Sequence, residues 1–146
     1  MAEEAIAQKI VNQLKTELAR VRVANGFHTD FGADVRTELS ETPIPAAARC
    51  TVVLLGLQAA EDNVVAVEGV IEIALPSGQA NAMATIYRGA DDIERLLAEM
   101  GARQLAGSVA ASGALPPAYR ATSLIPRPDG LPFVAAEITF TTGYRR

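Results

Sequence analysis

The chain has 146 residues, a net charge of -4 and 49% hydrophobic content with only 5% aromatic residues. It is therefore long enough for one globular domain with a sizeable aliphatic core, and too apolar for a disordered segment. The mild acidity gives no general reason to expect nucleic-acid or membrane binding, and a single cysteine, Cys50, excludes an internal disulfide. The acidic start and the amphipathic segment behind it argue against a signal peptide. No apolar run approaches the ~18 residues of a spanning helix.

The first predicted element is a helix over residues 3–23. Ile6, Ile10, Leu14, Leu18 and Val21 recur at spacings of four and three, and Lys9, Asn12, Gln13, Thr16 and Arg20 cover the other face. Asn25-Gly26 is the expected stop, because glycine accepts the left-handed conformation there. From Phe27 the period switches to two, which predicts a strand or a pair of short strands through Arg36, broken near Gly32. His28 and Asp30 would then share a strand face. Residues 42–47 carry Pro43 and Pro45 and read as a loop.

Residues 50–57 form a continuous apolar run, expected as a central strand covered on both faces. Residues 64–75 alternate: Val65, Val67, Ile71 and Ile73 point one way, Glu68 and Glu72 the other. The polar segment between them is a hairpin connection. After a turn at 76–78, a second helix is expected over 79–100, with Met83, Tyr87, Ala90, Ile93, Leu97 and Met100 on one face. Gly89 stands inside it as a kink or a break, at a cost of ~1 kcal/mol against alanine. Residues 101–117 read as loop with a short turn near Leu105, and 121–125 as a short strand. Residues 126–132 are a protruding turn. The last strand spans 133–146. Its inward set is Val134, Ala136, Ile138, Phe140 and Tyr144, and Glu137, Thr139, Thr141 and Arg145 lie opposite. A terminal strand this long is expected to complete a sheet, and it and the strand at 64–75 are expected to present exposed edges.

Strands in adjacent hairpins, rather than alternating with helices, predict an α+β fold: a mainly antiparallel four- to five-stranded sheet with two helices packed on one face, in a single domain over 1–146.

Chemistry is sparse. His28 is the only histidine, and a half-exposed strand position accounts for it. Cys50 opens the most apolar strand and reads as a buried structural cysteine. Asp91, Asp92 and Glu94 read as a solvated face or as charges at a helix N-terminus, without metal-ligand spacing. Glu68 and Glu72, four residues apart on a strand, place their Cα atoms ~13 Å apart, too far for a paired-carboxylate mechanism. The glycines at 101–108 lack phosphate-loop context. No catalytic, cofactor or metal residue is assigned. The remaining candidates are contact surfaces. The loop at 126–130, with Arg127 and Asp129, and the end Tyr144-Arg145-Arg146 offer arginine forks. Glu68, Glu72, Asp91 and Asp92 of a neighbouring subunit offer carboxylates.

Taken in order, several segments resemble the tail terminator (tail completion) proteins of tailed bacteriophages. They are the amphipathic first helix, the Val-Ala-Asn-Gly-Phe-His-Thr-Asp turn at 23–30 and the proline-rich loop before Cys-Thr-Val-Val-Leu at 50–54. Asp-Ile-Glu-Arg-Leu-Leu at 92–97 and Gly-Ala-Arg-Gln-Leu-Ala-Gly-Ser-Val at 101–109 follow, then the last strand ending Thr-Phe-Thr-Thr-Gly-Tyr-Arg-Arg. The resemblance spans nearly the whole chain and lies in layout more than in any one motif. It implies a non-enzymatic virion protein without cofactor, assembled in the host cytoplasm. Such a protein forms a ring, usually hexameric, on the head-proximal end of the tail tube. It stops tube growth and meets the head-side connector, with DNA only passing through. It carries over no single functional residue. Two other expectations stand beside it: another neck, head-tail joining or injection-system component, and a small α+β enzyme or ligand-binding domain using His28 and Asp30.

Overall fold

The computed structural model describes residues 5–38, 45, 47–60, 63–105, 117–126 and 130–145. Helix α1 spans Ile6–Leu18 and helix α2 Ala82–Leu105. The strands are β1 (Val35–Arg36), β2 (Arg49–Ala59), β3 (Val64–Pro76), β4 (Ala118–Ile125) and β5 (Phe133–Arg145), in the sheet order β1-β2-β3-β5-β4. Every pairing is antiparallel except β1 with β2. The fold is α+β, and one core joins both helices to one face of the sheet.

Alternation decides that face. Odd-numbered Val67, Ile71, Ile73 and Leu75 of β3 are buried, and their cross-strand neighbours Cys50, Val52, Val134, Ala136 and Ile138 share the core. From α1, Ile10, Leu14 and Leu18 enter it, and from α2, Ile86, Ile93, Leu96, Leu97 and Met100. Burying each large aliphatic side chain contributes roughly 1.5–3 kcal/mol. The helices are also tied to each other by Glu17, whose carboxylate accepts hydrogen bonds from Arg20, at 2.9 Å, and from Arg103. Partial burial pushes that carboxyl up, but the two guanidinium groups outweigh it and hold the group below its ordinary range.

Several expectations are corrected. Helix α1 stops at Leu18, because the chain turns so that buried Val21 can accept the Gly32 N–H at 2.9 Å. Gly26, at φ 90°, closes a 3-10 turn at Val23–Asn25 rather than α1. Phe27 to Asp34 is not a strand. Phe27, Thr29 and Phe31 are buried in alternation as the pattern requires, but Phe31–Ala33 is a 3-10 turn and only Val35–Arg36 joins the sheet.

Helix α2 runs unbroken through Gly89. A Cβ there would strike the Phe31 ring and Ile73 Cδ1, so the glycine allows helix, loop and sheet to touch. Tyr87 is 54% exposed, and Ile86 takes the core position instead. Strand β2 is not central. Its first half is buried and its second half exposed, and β1 covers only Cys50 and Thr51 on its outer side. The two strands expected at edges, β3 and β5, are the central pair, matched over Val64↔Arg145 to Pro76↔Phe133.

Candidate assembly surface

Both described helices pack on the first face of the sheet, and neither contributes to the core from the second. The residues of the second face fall in rows across the four long strands. One row is Thr51, Glu72, Glu137 and Ser123, and another is Gly56, Glu68, Thr141 and Ala118. The period-two alternation that buries Ile71 and Ile73 must place Glu68 and Glu72 here.

Glu72 and Glu137 are direct cross-strand partners, so their Cβ atoms stand about 5 Å apart and like charges oppose one another. Burial raises the Glu72 carboxyl above its ordinary range. Nearby Arg49 pulls it back, and Glu137 pushes it further up. Arg49 itself is only 6% exposed, on the same face beside the Glu72 row.

Glu68 sits differently. It is exposed and lies in a shallow trough that crosses the far end of the open face. On one side is a depression of about 250 Å³ against Gly56 and Ala66. On the other is one of about 460 Å³ against Arg120 and Thr139. Glu68 and Thr141 line both.

The two outer strands differ from those expected. The outer side of β2 beyond Thr51 has no strand partner among the described residues, and Leu55 and Leu57 there are 60% and 54% exposed. Among the described residues strand β4 pairs only with β5, and it runs longer than the expected 121–125, which brings Arg120 onto the edge. The missed signal was the continuation of small and polar residues through Ala118-Tyr119-Arg120. A hydrogen bond from Thr122 Oγ1 to Glu94, at 3.3 Å, ties β4 to α2.

Of the candidate contact residues, the structure brings Glu68, Glu72 and Arg145 to the open face. Arg145 is exposed opposite Val64. It lies four residues from the Glu68 partner Thr141, or ~13 Å along the strand, so the two do not meet within one chain. Tyr144 points to the helix-covered face and packs against the core. Arg127, Asp129 and Arg146 lie outside the described residues.

The Asp91–Asp92 pair divides. Asp91 is exposed, with Oδ2 3.5 Å from His28 Nε2. Asp92 is fully buried, contrary to a solvated face or a helix start. Its carboxylate accepts the His28 and Thr29 backbone N–H groups and the Thr29 hydroxyl. Asp30 turns away from His28, with Oδ1 accepting the Val23 N–H at 2.8 Å and facing Arg22. His28 and Asp30 therefore do not form a pair.

Cys50 is buried, and loss of solvation, with smaller pushes from Glu72 and Asp34, drives its thiol up to about 12. No group of three or more His, Cys, Asp or Glu side chains converges among the described residues. No described helix is long and apolar enough to cross a membrane. No protein-family model matches the chain, and none of the curated proteins is similar enough in sequence to count as a match.

Proposed function

We propose that the chain is a structural, non-enzymatic virion protein of the tail terminator kind. It forms a ring, hexameric by the resemblance, on the head-proximal end of a phage tail tube. There it ends tube growth and offers the attachment surface to the head-side connector. The observation that carries the reading is the sheet face opposite the two described helices. Strands β3 and β5, each of 13 residues, run ~40 Å; from Glu72 and Glu137 to Arg145 this face bears carboxylates and hydroxyls, while at its other end Arg49, Thr51, Ala74 and Ala135 are buried. A polar sheet face flanked by two edges that have no described strand partner, β2 beyond Thr51 and the outer side of β4, suits repetition around a bore better than it suits binding a small molecule.

The decisive experiment adds the purified protein to tail tubes of its own phage and follows length and end structure by electron microscopy. Tubes of uniform length with a ring at one end are expected. Tubes that grow unchecked, beside a protein that stays monomeric in light scattering with and without them, would overturn the reading. Rings that bind the connector but never the tube would shift it to a neck or head-tail joining component.

A further inference from the structure

We propose that the copies join through the sheet itself. The free β2 edge of one chain pairs with the β4 edge of the next, head to tail. The inference rests on the ring reading above and names the surface that would build it.

Strand direction carries it. From β2 through β3 and β5 to β4, each neighbour is antiparallel, so β2 and β4 run in opposite directions. A second copy, rotated into place without being turned over, sets its β2 against β4 as one more antiparallel pair. The carboxylate-bearing face stays on the same side. Such a contact uses two different patches, which is the condition for a closed ring rather than a two-fold dimer. Residues 55–59 of β2 form an exposed, uncharged edge, the kind that soluble proteins cover or pair, while Val53 and Leu54 just before them face Thr37, Glu38 and α1. Each edge carries one irregularity, between Leu54 and Gly56 and between Tyr119 and Ala121. A bulge bends its strand and disrupts the ladder locally, so the pairing is confined to the regular stretches beside it.

Charge is compatible with the same partner. Arg120 on the β4 edge and Glu68 one strand inside the β2 edge are both exposed, and neither has an ion-pair partner among the described residues. Gly56 stands between Glu68 and the β2 edge, with open space where a side chain would be. Within its own chain Arg120 lies two strand spacings from Glu68, across Thr141, and an Arg120 arriving on the next copy's β4 lies the same two spacings away on the other side, ~10 Å, which the two side chains together span. Its route across Gly56 is clear.

The test uses the full chain with Cys50→Ala, so that introduced thiols are the only ones. Gln58→Cys marks the β2 edge and Ala118→Cys the β4 edge, both on exposed open-face positions. A short bis-maleimide is applied to each protein alone, to their mixture and to the double variant. The expected result is a covalent pair only in the mixture and a ladder of oligomers from the double variant. Arg120→Glu is expected to weaken association about fivefold or more, and Glu68→Arg in the same chain to restore it.

Coupling of Gln58→Cys, or of Ala118→Cys, to itself would overturn the head-to-tail arrangement in favour of a two-fold contact. Rings seen by electron microscopy with no coupling in the mixture would overturn the edge contact but leave the ring reading standing. Neither coupling nor assembly at any concentration, with or without tail tubes, would overturn both.

Discussion

Asp92 and Thr29 meet at 2.6 Å, hydroxyl to carboxylate, in a site with no solvent access to Asp92. The same carboxylate takes the Thr29 backbone N–H at 2.9 Å and the His28 N–H at 3.0 Å. A segment that alternates like a strand thus has its amides satisfied by one side chain of α2 instead of by a neighbouring strand. Arg95, one turn along the same helix, completes the clamp. It donates to the Gly26 carbonyl at 2.9 Å and stacks 4.7 Å from the Phe27 ring centre.

Removing the carboxylate should therefore cost far more than removing the histidine beside it. Asp92→Ala leaves buried donors unmatched, each worth ~1–3 kcal/mol, and is expected to lower unfolding stability by about 3 kcal/mol. His28→Ala removes only an exposed side chain and should change stability by less than about 0.5 kcal/mol. Urea denaturation of both variants is the measurement. Equal losses would show that the clamp is not the anchor of this loop.

Glu72 gives a pH-dependent prediction of the opposite sign to an ordinary ion-paired carboxylate. Its folded-state carboxyl is raised, first by burial. The folded protein therefore favours the protonated form. That contribution is full below the unfolded carboxylate range and is lost as pH rises through the raised folded value. Glu72→Gln keeps the protonated shape at every pH. It should match the parent in unfolding free energy at acid pH and exceed it at neutral pH, by roughly 0.5 kcal/mol. A parent more stable than the variant at neutral pH would mean that the Arg49 attraction outweighs burial and Glu137.

Periodicity made most of this fold legible. The inward sets of β3 and β5, the positions of Glu68 and Glu72, and the α1 stripe Ile10, Leu14 and Leu18 all follow from the spacing of apolar residues. Two kinds of fact did not. Alternation at Phe27, Thr29 and Phe31 reported burial correctly but not hydrogen bonding, because Asp92 sits more than 60 residues away in sequence. Strand order was also hidden. Nothing local distinguishes β5, which is paired along both sides, from β2, whose apolar run reads as central yet has only the two-residue β1 on its outer side. The candidate surface was half visible. Its carboxylates were in the pattern, while Arg120 depended on the true start of β4.

Cys50 should behave as an inert thiol. With its titration pushed to about 12 by burial, little thiolate exists at pH 8. Relative to a thiol of ordinary pKa near 8.5, the reactive fraction falls by ~10³ or more. A disulfide reagent is expected to label the folded chain at least that much more slowly than the chain in guanidinium. Labelling at comparable rates would show that the β2 end of the core opens readily.

Gly89→Ala sets two known magnitudes against each other. In an exposed helix interior the change would gain about 1 kcal/mol from helix propensity. Here the added methyl meets the Phe31 ring and Ile73 Cδ1, two core side chains that are 1% and 0% exposed. Overfilling a packed core costs ~1–3 kcal/mol, because neighbours must leave their rotamers or the backbone must shift. Phe31 has little room to yield: its own 3-10 turn is fixed by the Gly32 N–H on Val21, and a Cβ at Gly32 would run into the Leu18 and Val21 carbonyls. Packing therefore wins, and the variant should be destabilised by about 1 kcal/mol while keeping its helix content by circular dichroism. A gain in stability would mean that the loop moves away from α2 at little cost. The Asp92–Thr29 hydrogen bonds would then hold only one of several arrangements of that loop.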